Sequence, residues 1–153
     1  MVNQFPPMTL KAIGVVRSDF KKPTSGRLDL QKITAEIEID PRLNDALDGL
    51  DGFSHIIVLY WMHCAVFDED RLKTHPMGRK DVPVQGLFAV RTPNRPNTIG
   101  KATVRLLERR DNILKVQGLD AIDGSPVIDI KPYIPGYDSA TDATVPDWVK
   151  IEE

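Results

Sequence analysis

Apolar and polar residues alternate along this chain with a period of two, which commits most of it to sheet. Ala35, Ile37 and Ile39 interleave with Thr34, Glu36 and Glu38, so a strand here has one apolar and one charged face. Ser54–Met62 is apolar and β-branched or aromatic almost throughout, as a central strand covered on both sides would be. Leu10–Val16 reads as a first strand and Val84–Val90 as another. Ala102–Arg109 and Ile113–Gly118 flank the turn residues Arg110-Asp111-Asn112, a hairpin signal. Val127–Lys131 alternates again after the Asp123-Gly124 turn. Helical spacing is confined to Leu43, Leu47 and Leu50, stopped by Gly52, and to a short segment after Pro146. Many strands, short turns and 12 prolines predict an all-β fold: a single closed or nearly closed β-barrel with one or two short helices. Closure would also protect the sheet edges. The 153 residues fit one domain, with residues 1–8 and 138–153 expected at its periphery.

A loop interrupts this pattern. Val90-Arg91-Thr92-Pro93-Asn94-Arg95-Pro96-Asn97-Thr98-Ile99-Gly100 carries two arginines and two prolines. Each proline fixes its own φ and biases Thr92 or Arg95 before it towards extended conformations. The loop is therefore stiff, and its guanidinium forks suit a carboxylate, a phosphate or a nucleotide. The alternative is a solvated connection that only reverses the chain.

Three collinear stretches, with the Ile13–Phe20 segment near the start, resemble the tRNA methyltransferase O family, also called TsaA-like proteins. Gly86–Gly100 fits the pattern Gly-x-Phe-Ala-x-Arg-[Ser/Thr]-Pro-x-Arg-Pro-Asn-x-Ile-Gly. Asp120–Pro135 fits Asp-x-x-Asp-Gly-[Ser/Thr]-Pro-x-x-Asp-Ile-Lys-Pro-Tyr-x-Pro, and Gly52–His63 fits Gly-Phe-Ser-His-Ile followed by an apolar run to a histidine. The similarity covers roughly 125 residues, far more than a lone motif. It implies a homodimeric β-barrel enzyme that uses S-adenosyl-L-methionine to methylate the exocyclic nitrogen of a threonylcarbamoyl-adenosine beside the anticodon of tRNA.

The resemblance also implies roles for residues. Cofactor contacts fall on His63 and Cys64, on Arg91, on Lys101 largely through its backbone, and on Asp123-Gly124-Ser125-Pro126. Arg91 would clamp the donor's carboxylate, and Asp123 would accept from its hydroxyls or ammonium. Family members also carry a Pro-Arg-Gln triplet after the first strand; here Arg27 alone corresponds, one position early. Asp129 and Tyr133 are candidates for polar groups near the acceptor, where a proton must leave as the methyl arrives. Their other reading is hydrogen bonding at the barrel end. Arg95, Asn97 and Lys131 are expected to meet RNA phosphate or the threonyl carboxylate.

Charge adds little. The net charge of −2 provides no global field for nucleic acid, but Arg71, Lys73, Arg79 and Lys80 cluster, as do Arg91, Arg95, Lys101, Arg105, Arg109 and Arg110. A local basic face could hold RNA; a mixed surface is the other reading. No apolar run is long enough to span a bilayer. The opening residues lack signal-peptide features, and Cys64 is the single cysteine, so a cytoplasmic location is expected. His55, His63 and His75 have no metal-ligand spacing, so no metal is expected. Two rivals remain: a non-catalytic module that binds the donor or RNA, and a methyltransferase for another substrate.

Overall fold

The computed structural model describes residues 4–23 and 28–149. Six antiparallel strands close into a barrel. In chain order they are β1 (Gly14–Arg17), β2 (Thr34–Ile39), β3 (His55–Trp61), β6 (Ile99–Arg110), β7 (Ile113–Gln117) and β8 (Pro126–Pro132), with β4 (Lys73–Thr74) and β5 (Gln85–Gly86) forming a separate ribbon. Around the barrel the order is β1-β2-β7-β6-β3-β8, and β8 pairs with β1 to close it.

The alternation has the consequence expected of a pleat. Ala35, Ile37 and Ile39 point inward and are buried with Val16, Ile56, Val58, Val104, Leu114, Val116 and Val127. Each of the buried Val, Leu and Ile side chains contributes about 1.5–3 kcal/mol of burial free energy. The intervening Glu38 stays outside, where Arg17 Nε donates to it at 3.2 Å. The predicted hairpin joins β6 to β7 through Asp111 and Asn112; Asp111 takes a left-handed φ of 51°, which aspartate tolerates better than most residues. The Asn112 amide donates to Ile39 O at 2.6 Å.

Gly100 is a tight point of the barrel. It pairs with Tyr60, whose ring lies so close that a Cβ at position 100 would stand 2.5 Å from its Cζ. Burial, and after it the charge of Asp120, push the Tyr60 phenol up to about 12.

Several expectations are corrected. Val84–Val90 is no barrel strand: only Gln85 and Gly86 pair, and Leu87–Ala89 turn in a 3-10 conformation. A barrel already closed by six strands has no free edge for this run to join. The first strand is shorter than Leu10–Val16, beginning at Gly14. Pro41–Leu47 is a 3-10 stretch rather than an α-helix, capped by Asp40 and burying only Leu47; one buried residue gives too little apolar contact to favour a longer helix. The segment after Pro146 forms a turn, with Val149 N donating to Pro146 O. One α-helical turn, α1 (Pro135–Asp138), follows β8 instead. Among the described residues no helix is long and apolar enough to cross a membrane.

Candidate functional site

Strand register assembles one rim of the barrel. Trp61 pairs with Ile99, Tyr60 with Val127 and Val15 with Pro126. The end of β3, the start of β6, the start of β8 and the end of β1 therefore meet there. His63 and Cys64 follow β3, Asn97 and Thr98 precede β6, and Asp123–Ser125 precede β8.

The Asp123–Pro126 bend is held by backbone. Asp123 N donates to Phe20 O at 2.7 Å and Gly124 N to Val16 O at 2.8 Å, while Ser125 O accepts from Val16 N. Gly124 has a φ of 82°, a conformation that side-chain-bearing residues resist. The Asp123 carboxylate takes Lys21 Nζ at 2.7 Å and Ser18 N at 3.0 Å. Lys21 first, then the Ser18 amide, holds its carboxyl below the usual aspartate range. Ser125 is 1% exposed; its hydroxyl donates to Ile122 O at 2.6 Å and lies 3.3 Å from His63 Nδ1.

The arginine loop begins and ends differently. At its exit, Met62 N donates to Thr98 O at 2.7 Å, so Asn97 and Thr98 sit beside His63. Thr98 Oγ1 is buried with no hydrogen-bond partner. Arg95 turns back on its own loop: Nη1 donates to Val90 O at 2.8 Å and to Thr92 O at 3.2 Å. Its guanidinium carbon lies 5.9 Å from the Phe88 ring centroid. Asn94 ties the loop to the preceding segment, accepting from Asp68 N at 2.9 Å and donating to Arg71 O at 3.2 Å. Arg91 opens on a cleft of about 860 Å³ shared with His75, Met77, Val145 and Trp148, whereas Asp123 lines another with Arg17, Lys21 and Lys115.

The barrel thus brings His63, Cys64, Asn97, Asp123, Gly124, Ser125 and Pro126 together and leaves other candidates elsewhere. Lys101 is exposed on the barrel wall, paired with Leu59, and Asp129 flanks Leu59 on the other side. Asp129 is engaged by Lys131 Nζ at 2.7 Å, a bond that raises the lysine's pKa. Tyr133 lies at the opposite rim: its N donates to His55 O at 3.0 Å and its ring meets His55 edge-on, with centroids 6.3 Å apart. Pro126 and Tyr133 are seven positions apart along the strand, roughly 23 Å at ~3.3 Å each, so Tyr133 and the glycine bend do not meet within one chain, and Asp129 lies between them on β8. Arg27 lies outside the described residues. Ser18 and Lys21 were missed by sequence reasoning; Ser18 stands inside the Ile13–Phe20 motif, but nothing in the spacing links either to Asp123 more than 100 positions away.

Comparison with known proteins identifies the family and matches the fold. The model of the tRNA-methyltransferase O N-terminal domain matches residues 15–139. A probable S-adenosyl-L-methionine-binding protein of Methanothermobacter thermautotrophicus is 48% identical over 134 residues, covering 85% of this chain and 93% of the relative. The tRNA (adenine(37)-N6)-methyltransferase of Escherichia coli is 37% identical over 142 residues, 86% of this chain and 60% of that enzyme. The crystal structure of TrmO from Pseudomonas aeruginosa superposes with a TM-score of 0.74 at 32% identity, covering 91% of this chain and 61% of that one. The chain therefore spans nearly all of the archaeal relative but about three fifths of the two bacterial proteins. Barrel, signature loops and family match coincide over the same residues, and the chain belongs to the tRNA-methyltransferase O N-terminal domain family.

Proposed function

We propose that this protein is an S-adenosyl-L-methionine-dependent methyltransferase acting on the exocyclic nitrogen of threonylcarbamoyl-adenosine next to the anticodon of tRNA. The observation that carries the reading is the meeting of His63 with Ser125 and Gly124 at one rim, within signatures shared with a family that includes a tRNA (adenine(37)-N6)-methyltransferase. His63, Cys64, Asp123, Gly124, Ser125 and Pro126 form the donor-binding rim, with Lys101 on the adjoining wall. Arg91 takes the donor's carboxylate. Asn97, and the basic side chains of the loop and of Lys131, take RNA phosphate or the threonyl carboxylate. An anticodon-loop base already stands outside a duplex, so reaching it costs little unstacking. The methyl transfer itself needs alignment of donor and acceptor and an outlet for one proton.

A homodimer belongs to this reading, because Arg91 and Asp123 open on separate clefts of a single chain and a second copy can unite the two sets. A cytoplasmic location goes with a tRNA substrate. Isothermal titration with S-adenosyl-L-methionine, followed by incubation with labelled donor and bulk tRNA, tests the assignment. Binding without label in tRNA would leave a donor-binding module. That second reading has support of its own: the relative spanned almost completely is named for binding the donor, whereas the E. coli enzyme extends well beyond the shared region. Mass spectrometry of tRNA nucleosides from a deletion strain separates the stated substrate from another one.

A further inference from the structure

We propose that His63 Nε2 is the proton acceptor of the methyl transfer, held in one tautomer by Ser125; the assignment rests on the methyltransferase reading above. A serine hydroxyl has a single proton to donate. In Ser125 it is engaged by Ile122 O at 2.6 Å, and the residue is 1% exposed, so Oγ has little solvent to turn to. The remaining contact, 3.3 Å from Oγ to His63 Nδ1, then takes its hydrogen from the ring. A neutral imidazole carries one N–H, and placing it on Nδ1 leaves Nε2 with a free lone pair.

Gly124 keeps that lone pair uncovered. Nε2 stands 4.0 Å from the point where a Cβ on residue 124 would lie, so any side chain there would pack against the ring. With a φ of 82°, the bend is glycine's by conformation as well as by space. Among the described residues the titratable groups nearby are Tyr60 on β3, Cys64 next in sequence, and Asp120, Asp123, Lys21 and Arg17 on the neighbouring loops and strand end. Asp123 is engaged by Lys21 and the Ser18 amide. Asp129 is engaged by Lys131, and Tyr133 belongs to the far rim. His63 is the residue that combines a free proton-accepting atom with the glycine bend.

The step balances. The acceptor nitrogen forms a bond to the methyl carbon as the sulfur–methyl bond breaks, and that bond's electron pair stays on sulfur, turning the sulfonium into a neutral thioether. The N–H proton passes to Nε2, giving an imidazolium that returns it to water. One positive charge moves from sulfur to imidazole.

Two measurements test this. Nitrogen NMR of the wild-type ring is expected to show the Nδ1–H tautomer, with Ser125→Ala raising the Nε2–H population; a wild-type ring already protonated at Nε2 would overturn the proposal. Single-turnover transfer from labelled donor to tRNA, at saturating donor across pH 5.5 to 9, is expected to rise with pH in the wild type, as a base that acts in its neutral form requires. His63→Gln should lower the rate at saturating donor by about a hundredfold or more and flatten that rise, beyond any loss of donor affinity from the same rim. An undiminished rate, an unchanged pH profile, or a loss confined to donor Kd would remove the catalytic role. Wild-type protein that binds donor yet labels no tRNA would instead overturn the methyltransferase reading itself, and the assignment with it.

Discussion

Lys21 reaches across from the segment after β1 to close on Asp123, 2.7 Å from its carboxylate, and so pins the glycine bend from outside. The same carboxylate caps Ser18 N. Two contacts from one short segment fix the side chain that the family resemblance assigns to the donor.

Removing that cation should move the carboxyl. Lys21→Met is expected to raise the Asp123 pKa towards the ordinary ~3.9, read from the carboxyl carbon shift in an NMR titration. Because the folded pKa lies below the unfolded one, the pair's contribution is present at neutral pH and is lost as pH falls through the folded value. Both side chains are partly exposed, so added salt should shrink the difference between variant and wild type.

Tyr60 makes the opposite prediction at alkaline pH. Its phenol is raised to about 12, above the ordinary ~10, so folding favours the protonated ring. Stability conferred by this group is complete below about pH 10 and declines as pH rises towards 12. Ultraviolet titration of phenolate should find one tyrosine ionising late, and Asp120→Asn should lower that value modestly, since burial is the larger cause.

Gly100→Ala should destabilise the barrel by about 1–3 kcal/mol, because the new methyl group would meet the Tyr60 ring across the β3–β6 ladder. Denaturant unfolding measures the loss. Ile37→Ala, which empties a fully buried position, should cost about 2–5 kcal/mol and provides the scale.

Thr98→Val is expected to be neutral or slightly stabilising. The hydroxyl is buried without a partner, and an apolar group of the same shape removes the cost of desolvating it. A melting temperature clearly below that of the wild type would assign the hydroxyl a partner.

The two arginines of the signature loop should separate. Arg91→Ala is expected to raise the donor Kd about tenfold, the loss of one charge-assisted bond, by isothermal titration. Arg95→Lys should loosen the loop instead: a lysine lacks the planar fork that bridges Val90 O and Thr92 O. Faster amide exchange over residues 90–97 would report it, and an Arg95→Lys loop as protected as the wild type would show that the two carbonyl bonds do not order it.

Local physics made much of this molecule readable in advance. The alternation over Thr34–Ile39 and the apolar Ser54–Met62 run became strands within a residue or two of their expected limits, because a half-buried strand needs that pattern. The Asp111-Asn112 turn was likewise marked by residues that tolerate its dihedrals. Val84–Val90 failed for a global reason: apolar β-branched composition says that a segment can pair, not that an edge is free.

Residue chemistry along the chain thus marked most of the barrel strands, the β6–β7 hairpin turn and the family, since these depend on side chains and dihedrals within a few positions of one another. Closure of β8 onto β1 decided the rest. It set Tyr133 at the rim away from the bend and, with the β3–β8 pairing, brought Lys21 to Asp123 and Ser125 to His63. These are contacts between residues far apart in sequence, and their geometry follows from barrel register, to which no local pattern refers.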